Sequence, residues 1–376
     1  MIDGDGSVDL IGHSTRAILQ NQAVNGAIVA SPDFEQYDFC WLRDGSFTSF
    51  ALDLVGEFGA SARYHAWANQ AIGVITEQIE SAIGDHRAGR QPDLLNMPPA
   101  RFTLEGKVVV DGWPNFQIDG YGTWLWSLSQ HLELSNENEL PSSFRQTVKT
   151  VARYLSEFAF VPCFDVWEES GDAVHTSTLA SAFGGLVAAS QMLDTDEYMD
   201  CARSLQAKVV DDAARLGYFA KSNTNPDVDA SSLWLATPFN LIDVRNECFQ
   251  ETVNLIEQRL TLDGGIRRYS SDTYYGSGAW PVLTASLGWN RAQQGDLDGA
   301  KQCRVWIEDR FTAEFCLGEQ FGGDKRDPEH FSDWVNRWGL PANDLMWSHA
   351  MYIVLSAALE KSQSKLNQSS LDRGGG

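Results

Sequence analysis

Two glutamates of the sequence, Glu168 and Glu169, directly follow Trp167 in a segment rich in aromatic residues. Most Glu-Glu pairs form solvated acidic turns, because ionised carboxylates are rarely buried. Here Phe164 and Val166 give the pair apolar neighbours. An apolar wall raises the pKa of a carboxyl group by desolvation, and a general acid needs such a raised pKa near neutral pH. The segment therefore contains a candidate acid catalyst.

A further candidate carboxylate, Glu319, lies far along the chain and is followed by Gln320. Considered alone, Glu319 would be interpreted as a surface residue. The hydrolysis of a glycosidic bond by a carboxyl pair, however, requires two carboxyl groups that approach the bond from separate segments. The sequence offers such a pair.

Two other segments place arginine beside aromatic and acidic residues. In the first, Arg43 and Asp44 follow Trp41. Asp44 could simply cap the next helix, but adjacent donors and acceptors also suit vicinal hydroxyl groups. In the second, the tandem Arg267-Arg268 is explained equally well by a salt-bridged surface or by a binding site.

The composition also favours a sugar-like ligand. The 376 residues include 13 Trp, 10 Tyr and 19 Phe, and several Trp stand beside charged residues. Most of these rings should form the core, but an aromatic plane can also pack on the C–H face of a sugar whose hydroxyls reach polar groups. A net charge of −23 disfavours nucleic acid and anionic membranes as partners.

Motifs for cofactors and for other catalytic chemistries are missing. The sequence has no dinucleotide-binding or phosphate-binding glycine loop and no GxSxG motif. Its seven His show no HExxH or paired spacing. We therefore expect no cofactor and no metal.

The expected location is the cytoplasm. The N-terminus does not resemble a secretory signal, and no apolar run reaches the roughly 18–20 residues that a membrane helix needs. Six Cys without a CxxC pair are typical of free thiols in a reducing compartment.

Helical periodicity dominates the chain. In the segment 61–83, for example, Ile72, Ile75 and Ile79 recur at steps of three and four residues, which is typical of an amphipathic helix. Strand-like alternation is limited to a small hairpin of 102–104 with 107–110, and no βαβ pattern is present. Helices are predicted near 12–23, 45–57, 61–83, 119–135, 142–158, 174–193, 195–214, 230–238, 247–259, 277–293, 296–310 and 343–361.

Short and long loops alternate between these helices. Long aromatic loops in a compact domain usually carry function. Six helical hairpins in a ring, with the long loops at one end, would produce this alternation. We therefore predict one all-α domain over residues 1–376, with a core of about 12–361 and a flexible tail at 362–376. The long loops are 30–44, 86–118, 160–173, 261–276 and 316–342.

Together, the four loops that carry these residues resemble glycoside hydrolase family 15, which contains glucoamylases, glucodextranases and related exo-acting α-glucosidases. The resemblance covers about residues 12–361 and rests on four motifs in the right order with matching internal spacing. It implies an (α/α)6 barrel, in agreement with the predicted ring, and inversion at the anomeric carbon.

The resemblance also implies roles for individual residues. The family's Trp-Glu-Glu motif makes Glu168 the general acid, and its late Glu-Gln motif makes Glu319 the general base. The pattern that opens the last helix matches Asp344, Leu345, Trp347 and Ser348. The expected substrate-binding residues are Tyr37, Trp41, Arg43, Asp44, Trp113, Trp167, Glu169, Arg268, Tyr274, Trp280 and Gln320.

The domain organisation suggests a linkage. The sequence has neither the N-terminal β-sandwich nor the starch-binding module of many relatives, and short single-domain members include isomaltose-type glucohydrolases. We therefore predict an enzyme that cuts short α-1,6-linked oligosaccharides to glucose. The alternatives are a glucoamylase acting on α-1,4 linkages, a glucodextranase or trehalase type of hydrolase, and a non-catalytic, sugar-binding regulatory toroid.

Overall fold

The computed structural model describes residues 8–94, 96–137 and 139–374, with the side chains of 366–374 excepted. Its α-helices are α1 Leu10–Gln20, α2 Leu42–Leu54, α3 Phe58–Val74, α4 Thr76–Arg87, α5 Asp119–Leu134, α6 Arg145–Phe158, α7 Thr176–Leu193, α8 Met199–Leu216, α9 Glu247–Leu260, α10 Pro281–Gln294, α11 Leu297–Glu308, α12 Gly323–Arg326, α13 Pro328–Trp338 and α14 Met346–Gly374.

Six elements form a closed inner ring. Helix α2 packs on α5, α5 on α7, and α7 on the 3₁₀ helix Ala230–Leu235; this 3₁₀ helix packs on α10, α10 on α14, and α14 returns to α2. An outer layer of α1, α3, α6, α8, α9 and α11 covers the ring, each helix packing on at least one inner element. The predicted (α/α)6 barrel is therefore confirmed.

Helices α5 and α7 approach each other closely at two glycines. A Cβ atom at Gly122 would lie 2.3 Å from the carbonyl oxygen of Ser181, and one at Gly185 would lie 2.7 Å from the Cα of Gly122. A side chain at either position would force the helices apart, since real Cβ contacts are never so short. The two glycines thus allow this part of the inner ring to close.

Two predicted helices differ in the structure. The segment 61–83 belongs to two helices, because Ile75 has ψ near 12° and ends α3 where α4 begins. Gly73 and the β-branched Val74 and Ile75 weaken helix propensity at this point. The segment predicted as a helix over 230–238 forms the shorter 3₁₀ helix Ala230–Leu235 instead.

The strands also differ from the prediction. Strand β1, Cys40–Trp41, pairs antiparallel with β2, Arg101–Phe102, whereas Phe102 makes only an isolated bridge with Val108. The predicted hairpin is therefore present only as this single antiparallel bridge, with a hydrogen bond of 3.0 Å from the Thr103 N–H to the Lys107 carbonyl, and not as two paired strands. A second small pair joins β3, Thr261–Leu262, to β4, Gly265–Ile266.

The backbone of α14 continues as a helix through residue 374, so most of the segment predicted as a flexible tail is helical. Residues 375 and 376 lie outside the described residues. Among the described helices, none is long and apolar enough to cross a membrane. All six cysteines are free thiols.

A buried polar network joins α2, α3 and α5. Asp53 accepts hydrogen bonds from His131 Nδ1 at 2.8 Å and from Ser61 at 2.8 Å, and the Ser49 hydroxyl lies 2.7 Å from Ser61 and 3.0 Å from His65 Nε2. Candidate metal-ligating atoms of Asp53, His65 and His131 lie within 4.8 Å of one another. The serine hydroxyls already satisfy most of these groups, so the network accounts for the cluster without an ion.

Candidate active site

The segments that precede or begin the inner helices enclose a cavity of about 550 Å³. Such a volume lies within the range of small-molecule sites. The predicted residues that line it are Tyr37, Trp41, Arg43, Asp44, Trp113, Trp167, Glu168, Glu169, Arg268, Tyr274, Trp280 and Glu319.

Gln320 is the predicted site residue that does not line this cavity. Its side-chain oxygen accepts a hydrogen bond of 2.9 Å from the backbone N–H of Gly278. This bond holds the segment around Glu319 beside the segment that leads into α10, where Ala279 pairs with Phe321. In this structure Gln320 therefore fixes the backbone next to Glu319.

Glu168 lies at the cavity wall with its side chain 18 % exposed. The indole N–H of Trp41 donates a hydrogen bond of 2.6 Å to Glu168 Oε1, and Arg43 Nη2 is 4.0 Å from the same oxygen. Burial raises the pKa of this carboxyl, while Arg43 and the Trp41 hydrogen bond act in the opposite direction. A carboxyl with a raised pKa can still carry a proton where an ordinary glutamate is ionised.

Glu319 is only 1 % exposed, although it lines the cavity. The Tyr37 hydroxyl donates to Glu319 Oε1 at 2.7 Å and lies 2.8 Å from the Tyr274 hydroxyl. Burial raises the pKa of Glu319 to about 7, against the opposing effects of Tyr37 and Arg268. Its Oε2 has no hydrogen-bond partner among the described residues. Once ionised, Glu319 therefore has an oxygen available to accept a proton from water.

Arg43 and Asp44 form a buried group of donors and acceptors at the start of α2. Arg43 Nε is 3.4 Å from Asp44 Oδ2, and its Nη1 is 3.2 Å from Asp119 Oδ2. The guanidinium lies 5.3 Å above the ring of Trp347. Burial alone would lower the pKa of Arg43, but the surrounding carboxylates outweigh it and raise that pKa. The group is thus a fixed set of hydrogen-bonding atoms in a water-poor place.

A second guanidinium, that of Arg268, is fixed on the other side of the cavity. Asp272 accepts from Arg268 Nε at 3.1 Å, and Glu169 accepts from Arg268 Nη2 at 3.2 Å. The Tyr269 hydroxyl also donates to Glu169. Burial raises the pKa of Glu169, which Arg268 opposes. Glu169 therefore orients Arg268, and its neighbour Glu168 stays free of that contact.

Aromatic rings form the walls between these charged groups. Trp41 and Trp113 meet edge to face at 5.9 Å, and Trp167 and Trp280 meet at 5.7 Å. The indole N–H groups of Trp280 and Trp347 have no hydrogen-bond partner within the described part of the chain. These walls offer apolar planes and free donors, which is the surface that a sugar ring requires.

Helix α13 contributes lining residues that the sequence-based prediction missed. Trp334, Arg337 and Trp338 line the cavity from a segment predicted as a loop. The spacing of Phe331, Trp334, Val335 and Trp338 matches one face of a helix and could have revealed it. Other lining residues outside the predicted set are Ala30, Phe34, Gln36, Asp111, Gly112, Pro114, Val166, Leu345 and Trp347.

Two charged partners outside the cavity lining were also missed. Asp119 and Asp272 are nearly fully buried and hold Arg43 and Arg268, respectively. No local sequence pattern marks Asp119 as the partner of Arg43, because 76 residues separate them.

Comparisons with known proteins agree with this geometry. The model of glycosyl hydrolases family 15 matches residues 11–326. The chain is 34 % identical over 368 residues to isomaltose glucohydrolase of Kribbella flavida. The alignment covers 93 % of this chain and 92 % of that relative. The chain is also 21 % identical to trehalase 1 of Sulfolobus acidocaldarius, over 67 % of this chain and 45 % of that protein.

Solved structures give the same result. A wild-type glycosidase superimposes with a TM-score of 0.89 at 33 % identity, covering 94 % of this chain and 96 % of that one. A variant glycosidase in complex with glucose gives a TM-score of 0.89 at 32 % identity with the same coverage. A bacterial glucoamylase complexed with acarbose shares the fold, with a TM-score of 0.69 at 16 % identity. The match covers 96 % of this chain and 56 % of the glucoamylase. The chain therefore belongs to glycosyl hydrolases family 15 and is a glycoside hydrolase of the glucoamylase type.

Proposed function

We propose that this enzyme is an exo-acting, inverting α-glucosidase that releases β-glucose from the non-reducing end of short α-1,6-linked glucosides such as isomaltose. The observation that carries the proposal is the pair of carboxyl groups, Glu168 and Glu319, which come from loops 151 positions apart and line one cavity. Each has a raised pKa for a physical reason, namely burial.

In the proposed reaction, protonated Glu168 donates its proton to the glycosidic oxygen while the bond from that oxygen to C1 breaks. The hydrogen bond from Trp41 to Oε1 holds one oxygen of this carboxyl. The other oxygen is then the one that carries the transferable proton. Proton donation of this kind contributes roughly 10²–10⁴-fold to the rate.

Ionised Glu319 takes a proton from a water molecule that attacks C1 on the opposite face of the sugar. The unpartnered Oε2 is the accepting atom, since Tyr37 already occupies Oε1. A carboxyl pair that works by inversion needs a separation of about 6.5–9.5 Å, which leaves room for that water. The product is β-glucose; Glu168 then takes up a proton from solvent and Glu319 releases one, which restores both groups for the next cycle.

The binding groups favour attack at a chain end. Arg43 and Asp44 are nearly fully buried, and Arg268 is buried beside Asp272. A sugar in the middle of a polymer cannot reach groups at that depth, whereas a terminal glucose can place its hydroxyls on them. We therefore infer exo action.

The α-1,6 preference is supported by the relative from Kribbella flavida, whose name states isomaltose as its substrate and whose length this chain matches almost completely. A glucoamylase-like preference for α-1,4 linkages and a trehalase-like preference for α-1,1 linkages are the alternatives. The walls beyond the first glucose, which include Trp334, Arg337 and Trp338, would decide among them.

The test is proton NMR of a fresh reaction that contains equal amounts of isomaltose and maltose, followed within the first minutes. We expect isomaltose to be consumed first and β-glucose to appear before mutarotation. β-Glucose from maltose alone would support the inverting mechanism but overturn the α-1,6 assignment. α-Glucose would overturn inversion. Glucose from neither disaccharide, with none from trehalose or dextran, would favour a non-catalytic sugar-binding protein.

We also propose that the enzyme works in the cytoplasm. Six free thiols, of which Cys40, Cys163 and Cys303 are buried, are typical of a reducing compartment. Fractionation of the source cells with an activity assay on isomaltose tests this location. Activity recovered outside the cytoplasmic fraction would contradict it.

A further inference from the structure

A buried group of three charges lies behind the loop that carries Glu168. Lys221 is 6 % exposed, and Asp165 and Asp229 are each 1 % exposed. Lys221 Nζ is 2.8 Å from Asp165 Oδ2 and 2.6 Å from Asp229 Oδ2, and it lies 4.0 Å above the ring of Tyr269. Two carboxylates so close to each other need a cation between them to remain ionised in the interior.

Asp165 uses its other oxygen to shape the acid loop. Its Oδ1 accepts the backbone N–H groups of Trp167 and Glu169, each at 2.9 Å. Backbone bonds of 2.9 Å from Glu168 N to Asp165 O and of 3.0 Å from Asp165 N to Glu169 O close the same turn. The residues on both sides of Glu168 are therefore tied to one carboxylate.

Asp229 holds the same loop through a side chain. The indole N–H of Trp167 donates to both of its oxygens, at 2.9 and 3.1 Å. Asp229 also accepts from the backbone N–H of Ser231 at 2.9 Å, at the start of the inner 3₁₀ helix. Trp167 is thus joined to the inner ring of the barrel, and with it the residue that precedes Glu168.

The backbone at Glu168 needs such support. Its φ is +67°, in the left-handed region that non-glycine residues rarely adopt. This conformation points the Glu168 side chain towards Trp41 and the cavity. A residue in an unfavourable conformation stays there only when its surroundings hold it.

We propose that Lys221 is a positioning residue for the general acid: by neutralising Asp165 and Asp229 together, it holds the Trp167-Glu168-Glu169 turn in the shape that presents the Glu168 carboxyl to the glycosidic oxygen. Lys221 does not line the cavity, so its effect on Glu168 is transmitted through the loop. The inference rests on the proposed role of Glu168 as the acid and names a residue through which that role is maintained.

The test separates acid catalysis from general loss of structure. Isomaltose has a poor leaving group that must be protonated, whereas the fluoride of α-glucosyl fluoride leaves with little help from an acid. A displaced Glu168 should therefore impair the first substrate much more than the second. The measured quantity is kcat/KM for each substrate, and the diagnostic is the ratio of the two values.

We expect Lys221→Met to lower kcat/KM for isomaltose by at least about 100-fold, as a displacement of about 1 Å can do. The value for α-glucosyl fluoride should fall by less than about tenfold. Lys221→Arg keeps the charge and should recover part of the loss on isomaltose. If Lys221→Met does not fold, Lys221→Arg is used for the test. Its altered geometry should still lower kcat/KM for isomaltose relative to kcat/KM for α-glucosyl fluoride.

Two further variants serve as references. Glu168→Gln shows the ratio that loss of the acid itself produces. Asp53→Asn removes another fully buried carboxylate, which is hydrogen-bonded to His131 at the far end of α2, and should lower the melting temperature without changing the ratio. Equal losses on both substrates in the Lys221 variants would overturn the positioning role. An unchanged ratio in Glu168→Gln would instead overturn the proposed function.

Discussion

The barrel has a cavity at each end, and the larger one is not the one that contains the proposed catalytic pair. The cavity at the amino-terminal ends of the inner helices measures about 550 Å³, and the cavity at their carboxyl-terminal ends measures about 880 Å³. Both have aromatic residues in their walls. Phe50, Trp126 and Trp289 line the larger one, where the ring of Phe50 stacks on Trp289 and meets Trp126 at a tilted angle.

The two cavities differ in how they hold charge. At the end with the proposed active site, Arg43, Asp44 and Glu319 are buried and fixed by hydrogen bonds or ion pairs. At the opposite end, charged side chains such as Arg245 and Lys361 are exposed to solvent. Burying a charge costs several kcal/mol per ion even when it is paired. A site is therefore identified by buried, oriented charge and not by volume.

The direction of the inner helices helps to explain why buried carboxylates gather at the end with the proposed active site. Asp44 lies in the first turn of α2 and Asp119 in the first turn of α5. The partial positive charge at a helix amino terminus favours carboxylates there, by about 0.3–1 kcal/mol each. The same helices present carbonyl groups at the other end, where the buried Asp53 in the last turn of α2 relies on hydrogen bonds from His131 and Ser61.

The largest expected effect comes from removing either carboxyl group of the catalytic pair. Glu168→Gln and Glu319→Gln should each lower kcat on isomaltose by roughly 10²–10⁴-fold, because a positioned proton donor or acceptor is lost while the shape is kept. Steady-state kinetics on the purified variants measures this. A loss below tenfold in either variant would mean that the cavity is not used as a carboxyl-pair site.

The second prediction concerns the stability cost of the buried base. Folding raises the pKa of Glu319 from its usual 4.5 to about 7, so the folded state loses stability as the pH rises through this interval. Glu319→Gln removes that loss. The variant should match the wild type near pH 4 and exceed its free energy of unfolding by up to about 3 kcal/mol above pH 7. Urea unfolding at both pH values tests this, and equal stability above pH 7 would contradict it.

The third prediction compares two carboxylates on the same helix, one at each end of the barrel. Asp119→Asn removes the buried charge that holds Arg43 and should lower kcat/KM by roughly 30-fold, or about 2 kcal/mol, as expected for a charged hydrogen bond. The matched control is Glu133→Gln at the other end of α5, which lines the opposite cavity and is exposed. Similar losses in both variants would remove the distinction between the ends.

The fourth prediction is a pH profile. Since Glu319 must be ionised to act as the base, kcat/KM of Glu168→Gln on α-glucosyl fluoride, for which no acid has to titrate, should fall about tenfold per pH unit below pH 7, where the pKa of Glu319 lies. An acidic limb centred near pH 4.5 would show that bulk-like solvation, and not burial, governs this carboxyl in the free enzyme.

The smallest effect is expected at the opposite cavity. Arg245→Ala and Lys361→Ala remove exposed cations from its rim and should change kcat/KM by less than about twofold, since surface charges contribute little. Kinetics at low and at physiological ionic strength would measure this. A change beyond tenfold would mean that the two ends of the barrel communicate.

The sequence by itself determined the class of chemistry and most of the architecture. The aromatic neighbours of Glu168 in the sequence made it a candidate, whereas Glu319 became one only as a second carboxylate for a pair and through the resemblance to the family. Helical periodicity was sufficient for most of the barrel, since each helix shows its buried face in steps of three and four. Periodicity did not reveal the break at Ile75, where the segment predicted as one helix forms two helices. The periodic pattern of α13 was present in the sequence but was not recognised.

Only the tertiary structure decided which charges meet. Three charged pairs join residues that lie at least 56 positions apart in the chain. These pairs are Arg43 with Asp119, Arg268 with Glu169, and Lys221 with Asp165. Burial of Glu319, and with it the raised pKa, likewise depends on loops that converge from distant segments. Pairing and desolvation act through space over a few ångströms, whereas sequence patterns report only neighbours along the chain.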